Sequence, residues 1–262
     1  MFEKIGNFFA KLLTGIGRTL REDLLSVLLA VLAVVAVVLI RSANLPVLVV
    51  ALIWAVAFFF GMRVLIAITK KAGFSGFTAR YTTRDIMVMA VLIALGGIVK
   101  GYWGQARMIA EALGGFYTGV FVAWMFYLWG ILGVYFVRKP FSGTISMVLG
   151  GVVEILVGNP FGLPVLLFNF WEGLAPDIVY GAFGYKRHNI WLAMGSGVLA
   201  SAFGLLYGWY YFGFTNLPLG TFIVYVVLAL AGGVLAGIIA TVLIKLLERV
   251  GIRPAEVATV EA

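Results

Sequence analysis

The sequence of 262 residues has no cysteine and a single histidine. Without cysteine there is no disulfide framework, no thiolate nucleophile and no cysteine-based metal site. One histidine leaves a metalloenzyme without its usual ligands. Charge is scarce as well: Asp, Glu, Lys and Arg make up 11% of the chain, against about 25% in ordinary soluble domains. No lysine is followed by serine or threonine, so there is no Walker A motif and the chain does not hydrolyse ATP by itself. Neither G-x-S-x-G nor H-E-x-x-H occurs, which removes two common hydrolase chemistries. No strong internal repeat supports an inverted-repeat transporter.

What is abundant is apolar. Hydrophobic residues make up 63% of the chain and the mean hydropathy is +1.09. A water-soluble globule and a disordered chain are both excluded. The 33 Gly and 21 Phe fit closely packed membrane helices. Runs of about 20 apolar residues mark spanning helices. They predict spans at Leu24–Ile40, Pro46–Thr69, Asp85–Gly101, Gly115–Val137, Phe141–Val157, Phe161–Gly184, Ile190–Phe212 and Leu219–Leu246. The breaks are mostly tight turns, so consecutive helices are antiparallel neighbours.

The fold class is therefore all-α, a polytopic transmembrane bundle. Residues 1–23 alternate polar and apolar faces at helical spacing and read as an interfacial amphipathic helix, not a cleaved signal. Residues 24–69 form a transmembrane hairpin, 70–84 a basic linker, 85–247 a six-helix membrane unit and 248–262 a tail. Of 19 Lys and Arg, all but Arg41, Lys100, Arg107 and the intramembrane Arg63 fall on one side of this topology. The positive-inside rule then puts both termini in the cytoplasm of a multi-pass plasma-membrane protein. The formal charge of +8 is accounted for by topology and anionic headgroups of the bilayer, with no nucleic-acid footprint.

Of 11 acidic residues, eight lie in loops, tails or helix ends, and Glu154, Glu172 and Asp177 do not. An intramembrane ionisable group costs at least about 2.5–3.5 kcal/mol, which makes it a candidate functional group. With Lys100 assigned to an outer loop, no basic residue inside the six-span unit neutralises Glu154 and Glu172, and a cationic or amino-bearing ligand would. Asp177 lies nearer the basic end, where Lys186 or Arg187 can meet it. Asn169 sits one turn from Glu172, and Pro176 frees the Glu172 carbonyl. The segment Tyr102–Gly114 reads as an outer loop, offering Trp103 and Gln105 for stacking and hydrogen bonding, with Tyr117 beyond it. Small residues at Ala90, Ala94 and Gly97 form a ridge, as do Gly204–Gly208 and Gly233–Gly237. His188, on a basic turn, reads as a surface residue.

At these residues the six-span unit resembles the substrate-binding S components of energy-coupling factor (ECF) vitamin transporters, in the YkoE-like branch associated with thiamine and its hydroxymethylpyrimidine (HMP) precursor. The resemblance rests on Trp103-Gly104-Gln105, on Arg138-Lys139-Pro140, and on Glu154 ahead of Gly158-Asn159-Pro160-Phe161-Gly162. It continues through Gly173-Leu174 before Asp177 and Tyr185-Lys186-Arg187-His188-Asn189. It implies a subunit that captures a vitamin from outside and presents it to a transmembrane coupling protein carrying two ABC ATPases, without cofactor, metal or catalysis of its own. It further implies Glu154 as principal anchor, Glu172 and Asn169 deeper, Asn159 and Asp177 also in the substrate-binding set, Trp103, Gln105 and Tyr117 around the outer lid, and Ala90, Ala94 and Gly97 as the docking ridge. Two features fall outside the pattern: the chain before Arg84, and Glu172, which stands where an uncharged amide is expected. The competing readings are an S component for another vitamin, an intramembrane enzyme using Glu154 and Glu172 as acid and base, and a scaffold whose carboxylates only join helices.

Overall fold

The computed structural model describes residues 63, 66–67, 81–211 and 217–255. The amphipathic helix expected over 1–23, nearly all of the 24–69 hairpin, most of the linker and the end of the tail lie outside the described residues. Among the described residues there are seven helices and no strand: α1 Thr83–Gly114, α2 Phe116–Phe121, α3 Trp124–Val137, α4 Ser142–Leu156, α5 Val165–Gly181, α6 Ile190–Tyr211 and α7 Leu219–Arg249. Helices α2 and α3 run on as one pass, Phe116–Val137, so the unit has the predicted six.

Helix α1 opens on a capping box. The Thr82 hydroxyl accepts from the Asp85 amide, and the Asp85 carboxylate accepts from the Thr82 amide at 2.9 Å. The same carboxylate meets Lys139 Nζ at 2.6 Å, tying the start of α1 to the turn between α3 and α4. The far end differs from expectation. Tyr102–Gly114 is not a loop: α1 continues through it for 32 residues in all. That stretch contains no proline and several strong helix formers, and Arg107 pairs with Glu111 one turn on at 3.1 Å. Gly115, at φ 80°, ends the run.

Helix α3 is apolar all round, and Leu128, Ile131, Val134, Phe136 and Val137 are at most 3% exposed. A helix without a polar face belongs in the centre, and α3 touches α1, α4, α5, α6 and α7. Glycines set the closest approaches. Where α6 meets α7, a Cβ on Gly233 would press on the Gly197 carbonyl, and one on Gly237 would strike the Met194 backbone. The backbones therefore touch directly.

One end of the bundle gathers the basic turns. Arg84 donates to the Arg253 carbonyl, the Ala255 amide donates to the Phe136 carbonyl at 2.9 Å, and the Tyr81 hydroxyl donates to the Pro140 carbonyl at 2.5 Å. At the opposite end the short helices leave a recess. Helices α4 and α5 have 15 and 17 residues, a rise of about 23 and 26 Å, less than a hydrocarbon core of about 30 Å. Their connecting turn meets α1 at Gly104, well before α1 ends.

The seam gives a direct prediction. Gly233→Leu forces α6 and α7 apart and destabilises the protein by about 3 kcal/mol or more. Ala90→Leu, on an exposed face of α1, changes stability by no more than about 0.5 kcal/mol. Unfolding midpoints in detergent measure both, and equal effects contradict the packing described.

Candidate substrate-binding site

The turn after α4 explains why its residues occur in the order they do. Gly158 and Gly162 adopt φ of 94° and 65°, conformations that favour glycine. Between them the Asn159 side-chain oxygen accepts from the Phe161 amide at 2.7 Å, a local Asx turn. The Asn159 side-chain nitrogen donates to Glu154. Asn159 can lie this close to α1 because residue 104 is glycine: a Cβ there would be 2.9 Å from Asn159 Nδ2.

Glu154 is 1% exposed and holds three partners. Besides Asn159 it accepts from Asn169 Nδ2 at 3.0 Å, and Lys100 Nζ stands 3.2 Å from its Oε2. Lys100 also donates to the Asn169 side-chain oxygen, while Asn169 Nδ2 donates to the Val165 carbonyl at 2.9 Å. The four side chains join α1, α4, the following turn and α5 in one buried network. The sequence reading placed Lys100 at the outer membrane surface and left Glu154 without a basic neighbour; the structure corrects both. Because α1 extends to Gly114, Lys100 lies near the middle of a long helix and is 1% exposed.

On one side of this network lies a cavity of about 650 Å³ with its open mouth included. Phe126, Tyr127, Phe161, Phe168 and Tyr225 supply aromatic wall, and Glu154, Asn169, Glu172 and Arg107 supply polar groups. Gly204 and Gly208, read from sequence as a packing ridge, line the cavity: a Cβ at 204 would sit 3.7 Å from both a Glu172 oxygen and the Tyr127 hydroxyl. Pro176 lies inside α5, and Gly130 of α3 packs against its ring and against the Glu172 carbonyl.

The charges can be counted. Lys100 balances Glu154, and Glu111 balances Arg107, whose guanidinium also lies 5.4 Å from the Phe161 ring centroid. Glu172 is 6% exposed, on the cavity wall, and no hydrogen bond or ion pair to another described residue reaches its carboxylate. Glu172 thus lacks a direct partner among the described residues in the cavity, although the charges of Lys100 and Arg107 act on it.

The remaining candidates have other surroundings. Trp103 is on helix α1, not on a loop. Its indole N–H donates at 2.8 Å to the Val122 carbonyl, which is left open where α2 gives way to α3, and its ring packs edge-on against Trp124. Gln105 is exposed and reaches the Gly158 carbonyl at 3.4 Å. Tyr117 is 38% exposed and packs edge-on against Phe116, outside the cavity lining. Asp177 meets neither Lys186 nor Arg187. It caps the start of α4, accepting from the Thr144 amide at 2.7 Å, the Thr144 hydroxyl at 2.6 Å and the Gly143 amide at 3.4 Å. It lies away from the cavity, so it joins α5 to α4. Gly97 is buried against Val153 and Gly150 of α4, which makes it part of an internal seam, whereas Ala90 and Ala94 are exposed.

Sequence reasoning missed Lys100 and the aromatic wall. The available signal for Lys100 was the absence of any helix breaker strong enough to end α1 at Gly101. Lys100→Met and Glu154→Gln are each expected to destabilise the protein by about 3–5 kcal/mol, since each leaves a buried charge alone. The double variant loses at least about 2 kcal/mol less than the sum. Strictly additive losses in a thermodynamic cycle show that the two are not paired.

Known proteins share features of this sequence and fold. The family described as the permease component of an ABC-type cobalt transport system matches residues 84–203. The protein YkoE of Bacillus subtilis strain 168, assigned as an HMP/thiamine permease, is 23% identical over 162 residues, covering 61% of this chain and 80% of its own. A crystal structure of an S component of an ECF transporter superposes with a TM-score of 0.63 at 21% identity, over 66% of this chain and 88% of that one. The chain is a multi-pass membrane protein with the fold of an ECF-transporter S component, and the resemblance to the YkoE-like branch read from its sequence is borne out.

Proposed function

We propose that this chain is the membrane-embedded substrate-binding component of an ECF-type ABC importer, and that it captures thiamine or its HMP precursor from outside the cell. The observation that carries the reading is Glu172, a buried carboxylate on an aromatic-walled cavity that no hydrogen bond or ion pair from another described residue reaches. Thiamine brings a fixed positive charge and a flat aminopyrimidine. The charge is attracted to Glu172 in a low-dielectric site and to the aromatic faces around it. HMP brings an exocyclic amine that a carboxylate accepts from. Glu154 and Asn169 border the same space. Their mutual hydrogen bonds and Lys100 hold them rigid, so ligand binding costs little reorganisation.

The wider scheme follows from charge and shape. The basic end faces the cytoplasm by the positive-inside rule, which turns the recessed end, and the cavity mouth with it, outward. Both termini are then cytoplasmic. The exposed Ala90 and Ala94 on α1 offer a smooth face to a transmembrane coupling protein, whose two ABC ATPases supply the nucleotide chemistry. The name of YkoE supports thiamine or HMP as the ligand class.

Cobalt, suggested by the description of the matching family, suits the site less well. Among the described residues no group of three or more His, Cys, Asp or Glu is placed to hold a metal, and Glu154 is already committed to Lys100. An acid–base pair of Glu154 and Glu172 suits it no better, for the same reason.

The test is to purify the protein in mild detergent, denature it and identify the released small molecule by mass spectrometry. Thiamine or HMP in near-stoichiometric amount is the expected result. Another vitamin keeps the class and replaces the ligand. An empty protein that also fails to bind added vitamins, read by tryptophan fluorescence, overturns the reading in favour of a scaffold.

A further inference from the structure

Many glycines of the bundle stand where a side chain would collide. A Cβ on Gly197 would lie 2.0 Å from the Gly233 carbonyl oxygen, and one on Gly97 would lie 2.4 Å from Val153. Gly143 and Gly173 are held nearly as tightly, with the closest atoms at 2.7 and 2.8 Å. Packing requires these glycines. Gly204 of α6 is different. The atoms nearest to a Cβ there are a Glu172 oxygen and the Tyr127 hydroxyl, both at 3.7 Å, and then Tyr127 Cε1 at 4.0 Å. Those are ordinary van der Waals distances, and the residue lies within a regular helix, so alanine would fit the empty protein. Alanine would also suit the helix better, because glycine in a helix interior loses more backbone freedom on folding. Neither packing nor backbone conformation calls for glycine at 204.

The missing side chain leaves a notch in the cavity wall, bordered by two oxygens. Glu172, 6% exposed, offers a carboxylate that no hydrogen bond or ion pair from another described residue reaches. The Tyr127 hydroxyl stands on the same wall. The notch has the size of one methyl group. A primary amino group is nearly isosteric with a methyl, and unlike a methyl it has N–H bonds to give to a carboxylate.

We propose that Gly204 is the specificity-determining position of this cavity: the ligand's pyrimidine amino group occupies the notch, donating to Glu172 beside the Tyr127 hydroxyl. The site thereby selects aminopyrimidines over pyrimidines that lack the amine. The inference rests on the reading that the cavity binds thiamine or HMP, and adds to it which atoms of the ligand meet α6.

The full-length protein and Gly204→Ala, both in detergent, are titrated calorimetrically with thiamine, with HMP and with the analogue of each that carries hydrogen in place of the amino group. The unaltered protein is expected to bind the amino compounds at least about tenfold more tightly than the analogues, which leave Glu172 without a donor. Gly204→Ala weakens the amino compounds at least about tenfold, because its methyl fills the notch, and shifts the analogues by less than about threefold. The empty variant unfolds at the same or a higher temperature. Amino compounds that bind Gly204→Ala unchanged overturn the inference, as does an equal weakening of amino compounds and analogues. So does an unaltered protein without preference for the amine, or a lowered unfolding temperature of the empty variant, which would show that packing needs the glycine. An unaltered protein that binds neither thiamine nor HMP overturns the proposed function and this inference with it. Binding of either leaves that function standing whatever Gly204→Ala does.

Discussion

The buried ion pair between Lys100 and Glu154 is the constraint on which the rest of the site depends. Each partner is 1% exposed, and either one alone in a membrane interior would be a large liability. Together, with Asn159 and Asn169 filling the remaining hydrogen-bond positions, they form a closed polar unit that fixes α1 against α4 and α5. The glycines of α1 follow from that closeness. Gly97 and Gly101 admit Val153 and Val157, and Gly104 admits the Asn159 amide. The short α4 and α5 follow as well, because the turn that carries Asn159 has to stop beside Gly104 and thereby opens the recess.

A satisfied network next to an unsatisfied carboxylate is a way to separate stability from recognition. Glu154 and Asn169 face the cavity but are held by the protein. Glu172 faces the same cavity and is held by nothing described. A polar group kept unbalanced in a low-dielectric site is destabilising in the empty protein and available to a ligand of opposite charge, the usual trade between stability and function. The aromatic walls and the vacancy left by Gly204 give that charge a flat, narrow space. Under the proposed function, charge and planarity would be read together.

Much of this was legible in the sequence, for physical reasons that differ from element to element. The passes were plain because apolar runs of the right length have few alternatives in a membrane. Glu154, Glu172 and Asn169 stood out because polar groups inside such runs are rare, and Glu154, Asn159 and Asn169 do form one network. Lys100 was hidden by its position next to a run of Gly, Tyr and Trp that mimics a membrane-surface loop. Only the persistence of α1 beyond Gly101, supported by the Arg107–Glu111 pair, brings it inside. Asp177 was misread for the opposite reason: nearby cations in sequence suggested an ion pair, whereas the start of α4 offers backbone amides that a carboxylate satisfies without any cation. Trp103 likewise answers to a carbonyl opened at the α2–α3 junction, a break that apolar periodicity does not reveal.

The central claim is that Glu172 is the carboxylate left for the ligand to neutralise. Calorimetric titration of thiamine into the unaltered protein and into Glu172→Gln tests it most directly, alongside the unfolding temperature of each empty form. The account predicts that the variant is at least as stable when empty and binds thiamine at least about tenfold more weakly. Unchanged thiamine affinity in a folded Glu172→Gln protein contradicts it.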